Sequence, residues 1–540
     1  MPLPRFLTLH AGPHPRQDCP VRFTLPEPLP SGEWELIAQD TDRPLPLQRF
    51  ENNEVAFVEP DLTAFQSRRY AIQRRIYSAG KFERYLLDKQ FLTPEQLDAA
   101  RTRQPQTRED LTHILQEMGV SARDVFESKA HELGIPFVDL QHFRPDSGAI
   151  EAVPAEIAAR HNVLPVKKDG KKLWIAMGDT NDLNAADDLR LASRCHIYGV
   201  LAVPEHIAEA IRTYYGVEPT ASPPAPNVEA ESDTMEPFVR LKREKHALAI
   251  HVNGFLLTRY VYENVPARPY FFPLLLPPGI GLTRVFPLQA NLPGESQDHP
   301  HHRSLWIAFG DVNGVDNWSE EPGHGFTRHQ SLHNLESGDV FGRFATTSLW
   351  TGPDGYSLLT QDLEVVAWAL TGSARLLDFK IGISASHGDV TFGDTKEGGI
   401  IAARVASALD VRRGGRIENS YGGINETETW GKAAHWCDYS GQMDGQPAGL
   451  AIMDHPLSFR YPTHWHVRDY GLMTANPFGY GAYTQGIKTG SHTLPAGESL
   501  FFHYRVVLHA GNTTEGRVRE RYLDFVSPPI VEIAPSEPVP

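Results

Sequence analysis

Cysteine is almost missing from this 540-residue chain: Cys19, Cys195 and Cys437 are all there are, far apart and odd in number. Such a set builds neither a disulfide framework nor a CxxC metal site. Long apolar runs are missing too. No stretch approaches the roughly 18 uninterrupted apolar residues of a membrane helix, and the most apolar segment, Tyr270 to Leu282, is broken by Pro273, Pro277 and Pro278. The opening MPLPRFLTLHAGPHPRQDCP has no apolar core of the kind a signal peptide needs. Positive charge is in deficit, with 51 Lys plus Arg against 67 Asp plus Glu and a formal charge of -16. An acidic surface of that size argues against binding nucleic acid through its phosphates. These absences lead us to expect a soluble, cytoplasmic protein with no membrane span. The Gly-Lys pairs at 80–81, 170–171 and 431–432 are never followed by Ser or Thr, so no P-loop is present and ATPase chemistry is excluded.

Hydrophobic residues at 41%, with 44 Gly, 43 Pro and 10% aromatics, indicate a turn-rich body with many strands and ample core. Residues 1–75 read as a β module, in which Val21–Leu25 and Trp34–Ile37 lie between Pro and Gly breakers. Residues 78–216 turn helical and then alternate. Thr93-Pro94-Glu95-Gln96 is a capping-box start, Ser121 with Asp124 is another, and Gly134 is a stop. Beyond Pro136 we expect a helix over Pro154–His161 and strands over Val163–Lys167 and Lys172–Met177 joined by the Asp169-Gly170 turn. Asn184–Ser193 reads as helical, His196–Val203 as extended, and Pro204–Tyr215 as a helix stopped by Gly216. Residues 217–237 hold five prolines, five acidic residues and no Lys or Arg, the composition of a solvated linker. Residues 238–532 return to strands and turns and read as a large antiparallel β-sandwich, with a tail at 533–540.

The stretches FLTPEQLDAARTRQ, LGIPFVDL, VPAEIAARHNVLPVKKDGKKLWIAMGDTNDLNAADDLR and HIAEAIRTYYG make residues 78–216 resemble the N-terminal domain of the GspE/MshE type II secretion ATPases. That resemblance implies a small α/β docking domain, inserted here without its motor, with a protein partner reached through 78–216. Some members bind cyclic di-GMP through a repeated RLGxxLxxxG…L…L..Q pattern. Here Lys81 replaces the first Arg, Glu83 and Gln90 replace glycines, and Asp110 and Leu133 replace the second Arg and its Gln. Leu86, Leu97, Gln104, Leu115 and Gly119 remain. Lost arginines remove planar cations suited to a guanine dinucleotide, and lost glycines block close backbone approach. The eroded pattern argues against cyclic di-GMP binding, and the retained leucines serve helix packing.

The densest polar chemistry in the β body is Asp298-His299-Pro300-His301-His302-Arg303-Ser304-Leu305-Trp306. If extended, it sets His299 and His301 on one side and His302 on the other. His464-Trp465-His466 is a second H-x-H pair, so His299, His301, His464 and His466 form an alternative set of four imidazoles for a divalent metal. Asp394-Thr395-Lys396-Glu397, Trp436-Cys437-Asp438, His455, Arg468 and Asn476 complete the polar clusters. DTKEGG also suits a plain hairpin turn, and each Trp singly suits a core. Clustered titratable groups mark sites, so a metal-free pocket is favoured over a metal centre.

The stretches RPYFFPLLLPPG, LTRVFP, DHPHHRSLW, FGDTKEGG, ENSYGGINETETWGKAAHWCDYSG, MDHP, PTHWHVRDYGLMTANPFG and HYRVVLHAG make residues 237–530 resemble the bacterial PmoA-like ("methane oxygenase PmoA") family, with 1–75 completing the region. A literal methane monooxygenase subunit crosses the bilayer several times, which this chain is not expected to do. The resemblance implies a β-sandwich similar to the galactose-mutarotase supersandwich, a fold considered alongside sugar-processing proteins. A sugar fits the residues independently, since aromatic faces stack on pyranoses while polar side chains fix hydroxyls. In a catalytic version His301 or His466 and an acid, Glu397, Asp394 or Asp438, exchange protons with the sugar, or Glu397 with Asp394 forms a glycosidase pair. Asp298, His302, Arg303, Trp306, Lys396, Trp436, Asp438, His455, Trp465, Arg468 and Asn476 line the pocket. The rival readings are a His-ligated metal-dependent oxygenase or hydrolase, and a non-catalytic interaction protein.

Overall fold

The computed structural model describes residues 5–533 apart from 30–33, 42, 51–52, 75–80, 90, 94–95, 98–99, 101–110, 134, 180–184, 186–187, 190–191, 194, 219–237 and 290–293. It divides into two compact units. One joins residues 1–76 to 237–540, and the other is 77–236.

In the larger unit, the N-terminal strands form a seven-stranded sheet that ends on Arg5–His10 paired with Ile530–Ile533. The final described strand therefore closes the N-terminal module, and Ile533 pairs with Leu7 instead of opening a tail. The body is an antiparallel sandwich, as its alternating strands require. One sheet has eleven strands, and its main path runs Val239–Arg243, Ala247–Val252, Phe255–Val261, Tyr270–Phe271, Leu305–Val312, Gly398–Arg404, Leu472–Asn476, His464–Arg468. The other has eight, from Phe326–Glu336 through Ser499–Ala510 to Arg416–Asn419. Period-two alternation sends Leu305, Ile307, Ile401, Ala403, Trp465, Val467 and Met473 of the first sheet into one core with Phe379, Ile381, Leu450, Ile452 and Val506 of the second. The back of the eight-stranded sheet is sealed separately. There Phe341, Val366, Trp368, Met453 and Val507 pack beneath Val518 and Tyr522 of the helix Val518–Val526 and beneath Ala56 of the N-terminal module.

The smaller unit follows its local signals closely. Thr93 and Gln96 exchange reciprocal backbone-to-side-chain bonds of 2.7 and 3.3 Å, the geometry of a capping box. Ser121 Oγ accepts from the Asp124 N–H at 3.0 Å and opens the helix Ala122–Leu133. Helix Ala155–His161, strands Leu164–Asp169 and Lys172–Met177, and helix Pro204–Tyr215 with Gly216 at φ +69° lie where the pattern puts them. Strand His196–Leu201 runs parallel to Lys172–Met177. Leu86, Leu97 and Leu115 of the eroded repeat are all buried in one helical core, so packing accounts for their retention. Gln90, Gln104, Asp110, Gly134, half of 184–193 and most of the 217–237 linker lie outside the described residues.

Among the described residues, no helix is long and apolar enough to cross a membrane.

Candidate functional site

Residues directly opposite one another in an antiparallel ladder share a face. Tyr270 lies opposite Trp306, Trp306 opposite Ala402, Ala402 opposite Thr474, and Thr474 opposite His466. One row therefore crosses five strands on the face turned away from the sandwich core. The rows beside it carry Arg404, Leu472 and Arg468 on one side, and Asn476 with His464 on the other. Trp306 and His466 stand three strand spacings apart, about 14 Å.

The DHPHHR segment reaches this face as a turn instead of a strand. His299 has φ +42°, and the His302 N–H bonds the His299 carbonyl at 3.0 Å. Arg284, fully buried, is the cause. Its guanidinium donates to the carbonyls of Asp298 at 2.7 Å, His299 at 2.8 Å and His302 at 3.3 Å. This corrects the extended reading. The turn gathers all three imidazoles, with His299 stacked on His302 at 4.8 Å and His301 edge-on to His302 at 4.4 Å. Asp298 is wedged between Arg284 and Arg404, the latter at 2.7 Å, and its carboxyl is held below the usual range by these two cations against the opposing effect of burial. It is a fixed counterion and cannot serve as a proton donor.

Tyr470 joins the two histidine segments. His299 stacks on its ring at 5.2 Å and an interplanar angle of 7°. The Arg404 and Arg468 guanidinium carbons lie 4.8 and 5.7 Å from the ring centroid, within cation–π range. On the far side, Arg468 Nε pairs with Glu426 at 2.9 Å, and Lys396 pairs with Glu397. The loop carrying Lys396 and Glu397 is pinned. Asn476 donates to the carbonyls of Thr395 at 2.9 Å and Lys396 at 3.3 Å. A Cβ at Gly310 would stand 2.2 Å from the Glu397 carbonyl oxygen, so only glycine allows that approach.

Four of the imidazoles, His301, His302, His464 and His466, are held neutral. Burial, reinforced by Arg268 and His299, pushes His301 down to about 4. Burial and Lys488 push His464 to about 4, and burial with Lys396 and Arg468 pushes His466 to about 3. His302 is driven well down by burial and the neighbouring His301. The tautomers follow from their donors. Trp430 Nε1 donates to His466 Nδ1 at 3.0 Å, and Arg404 donates to His302 Nδ1 at 3.2 Å. A neutral ring that accepts at Nδ1 carries its proton on Nε2. His466 and His302 are therefore hydrogen-bonding groups and, at neutral pH, poor proton donors, unlike the imidazoles of ordinary pKa that acid–base work requires.

Several candidates fall elsewhere. Trp465 is fully buried in the shared core, with Nε1 on the Ala434 carbonyl at 2.9 Å, because alternation turns it opposite to His466. Trp436 packs in the sealed layer behind the other sheet. Asp438, also on that sheet, is buried against His509 at 2.8 Å, and His455 packs on Phe525. These three share no pocket with His466. Asp394 accepts the Gly481 and Gly490 N–H groups, both at 2.8 Å, which makes it a loop anchor and not half of an acid pair with Glu397. Arg303 is paired with Glu320. Trp306 lies on the right face but is only 1% exposed, covered by Trp318 and His302. No group of three or more His, Cys, Asp or Glu suited to a metal ion occurs among the described residues, so His299, His301, His464 and His466 do not form a four-imidazole site. Sequence reasoning did not single out Tyr470, Arg404, Glu426 or Trp430. Tyr470 stands two residues after Arg468, and Glu426 and Trp430 lie in the GINETETWGK stretch, but their partners are 36 to 171 positions away.

Comparison with known proteins divides the chain the same way. The model of the family described as "Family of unknown function (DUF6807)" matches residues 247–522, and that of the MshEN domain matches 133–221. The PmoA-like resemblance finds no support in these matches. The type IV pilus assembly ATPase PilB of Myxococcus xanthus is 28% identical over 138 residues, 25% of this chain and 24% of PilB. PilB of Thermus thermophilus is 30% identical over 95 residues, 17% of this chain and 11% of that protein. The chain thus spans about a quarter or less of the length of these relatives. Among solved structures, one described as MshE with cdg is 26% identical over 25% of this chain and 98% of its own, at a TM-score of 0.22. A glycosyl hydrolase family 38 protein from Enterococcus faecalis is 7% identical over 99% of this chain and 48% of its own, at 0.35.

Proposed function

Because the chain belongs to the family of unknown function (DUF6807), which spans just over half of it, we propose from its own geometry that the outer face of the eleven-stranded sheet is a carbohydrate-binding surface. The observation that carries this is the junction at Tyr470, where His299, Arg404 and Arg468 converge from three separate segments. Neutral imidazoles, half-exposed aromatic rings and ion pairs closed on themselves suit a polyhydroxylated neutral ligand. The polar groups that reach solvent, among them His299, His464, Lys396, Glu426 and Arg468, offer the hydrogen bonds, the buried His302, His466, Arg404 and Asn476 pack behind them, and Tyr470, Trp430 and Tyr480 offer faces for sugar C–H groups. Binding is favoured over catalysis by the depressed histidines. If the surface also turns over a sugar, Glu397 and Glu426, the carboxylates flanking Lys396 and Arg468, are the groups to carry proton transfer.

The MshEN segment supports a docking or regulatory role alongside this surface. Its eroded repeat supports a protein partner over a cyclic dinucleotide.

The test is a screen of neutral mono- and oligosaccharides against the full chain by ligand-observed NMR, repeated on Tyr470→Ala and His466→Ala. We expect saturable binding that both substitutions weaken at least tenfold. Binding that survives both, or no sugar bound at all, would remove the proposal.

A further inference from the structure

The groups of the proposed surface that reach solvent lie along a strand and not across the sheet. Across the sheet the row is closed, because Thr474, Ala402 and Trp306 are all buried, Trp306 beneath Trp318 and His302. Along the strand, the hairpin His464–Arg468 and Leu472–Asn476 that ends the sheet is furnished from one end to the other. Tyr470 sits in its turn, Arg468 and His464 on its outward face, and Tyr480 and Tyr483 past its open end, all of them half-exposed. Trp430, half-exposed as well, is held over the middle by its bond to His466.

The two ends are built alike. At the turn, His299 stacks on Tyr470 at 5.2 Å and 7°. At the open end, His464 stacks on Tyr483 at 5.9 Å and 6° and meets Tyr480 at 4.4 Å. These rings are fixed from behind. The Arg460 guanidinium lies 5.1 Å from the Tyr480 centroid and donates to the backbone carbonyls of Pro477 at 3.0 Å and Ser491 at 3.4 Å. Gly431, at φ +68°, leaves the room that Tyr483 fills, since a Cβ there would stand 2.9 Å from its ring. Trp430 joins the two ends, edge-on to Tyr483 at 5.3 Å and 85°. The charged side chains between them come in pairs, Arg468 with Glu426 and Lys396 with Glu397, which sets donors and acceptors side by side.

His464 and Arg468 stand at opposite ends of one extended strand, a span of about 13 Å at the rise of a β-strand. Tyr480 lies beside the first and Tyr470 beside the second. A single pyranose cannot touch both. We propose that the surface takes a linear neutral oligosaccharide, a trisaccharide or longer, laid along His464–Arg468. Its end units rest on Tyr470 and Tyr480, and a middle unit rests against Trp430. Successive rings give the sugar C–H faces something to stack on, while the hydroxyls reach the paired side chains between. The inference rests on the carbohydrate reading and adds the length and direction of the ligand.

The probes are cello-, manno- and malto-oligosaccharides, from the monosaccharide to the pentasaccharide, titrated calorimetrically into the full chain. In at least one series the affinity should rise at least tenfold from the monosaccharide to the trisaccharide. Tyr480→Ala, its fold followed by the thermal midpoint, should abolish that rise. Tyr480→Phe, which keeps the ring against Arg460 and His464, should retain it. Affinity independent of length in the wild-type chain would overturn the inference and leave the carbohydrate surface standing, and that comparison needs no variant. A rise with length that survives Tyr480→Ala in a folded protein would overturn it as well. If no member of any series binds, the inference and the carbohydrate reading fall together.

Discussion

Behind the eight-stranded sheet, outward positions carry Phe341, Trp368, Met453 and Val507 and are closed over by a helix and the N-terminal module. Behind the eleven-stranded sheet, the equivalent positions carry Arg404, His464, His466, Arg468 and Asn476, laced by ion pairs and rings. Both faces belong to strands whose other side feeds the same core. The difference teaches where to look for function. A sheet face that merely holds the fold together is sealed with apolar cover. The other face buries Arg404, His466 and Asn476 but leaves His464, Arg468 and Tyr470 half-exposed, and that is where the proposed ligand surface lies.

The sharpest way to break this comparison is to remove a charge from each face. Asp378→Ala strands Arg505 in the sealed layer and should cost about 3–5 kcal/mol, the scale for breaking a buried pair. Glu426→Ala leaves the half-exposed Arg468 on the open face and should cost only ~0–1 kcal/mol. Urea unfolding measures both, and equal losses would erase the distinction. Ligand binding should show the reverse. Tyr470→Ala and His466→Ala should lose at least a factor of ten in sugar affinity, about 1.4 kcal/mol, while Asp438→Asn and Trp436→Phe on the other sheet stay within twofold.

The open face also predicts a pH signature. His466 and His464 are held neutral in the fold, down to about 3 and about 4, while in the unfolded chain they protonate near 6.5. The unfolded state therefore takes up protons first, and stability must fall as pH drops from about 6.5 towards 4. His466→Gln should flatten part of that slope. Asp454 shows the opposite sign. Burial raises its carboxyl to about 7, so its contribution is present in acid and lost as pH rises from about 4 to 7. Asp454→Asn should abolish that loss in pH-dependent unfolding curves. The smallest expected effect concerns metal. Elemental analysis of untagged protein purified without chelator should find no stoichiometric Zn, Cu or Fe that His301→Ala or His466→Ala removes.

Much of the architecture could be read in advance because its causes are local. The Thr93–Gln96 box, the Asp169-Gly170 turn and the Pro204–Gly216 helix are each decided within a few residues. Alternation likewise separates Trp465 from His466. It does not say which side meets the core, so the pattern alone leaves Trp465 among the pocket residues. The DHPHHR turn escaped because its determinant, Arg284, lies 14 residues before Asp298 and acts through carbonyls. Trp436, Asp438 and His455 escaped because sheet membership depends on strand order, which composition does not encode. The convergence on Tyr470 depends on that same order.

The most direct test of the carbohydrate-binding face is hydrogen–deuterium exchange of the full chain with and without the tightest sugar from the screen. The account predicts protection over residues 298–302, 395–397, 426–430 and 464–470 together, with Gln446–Asp454 and Val518–Val526 unchanged. Protection confined to the sealed side or to residues 77–236 would contradict it.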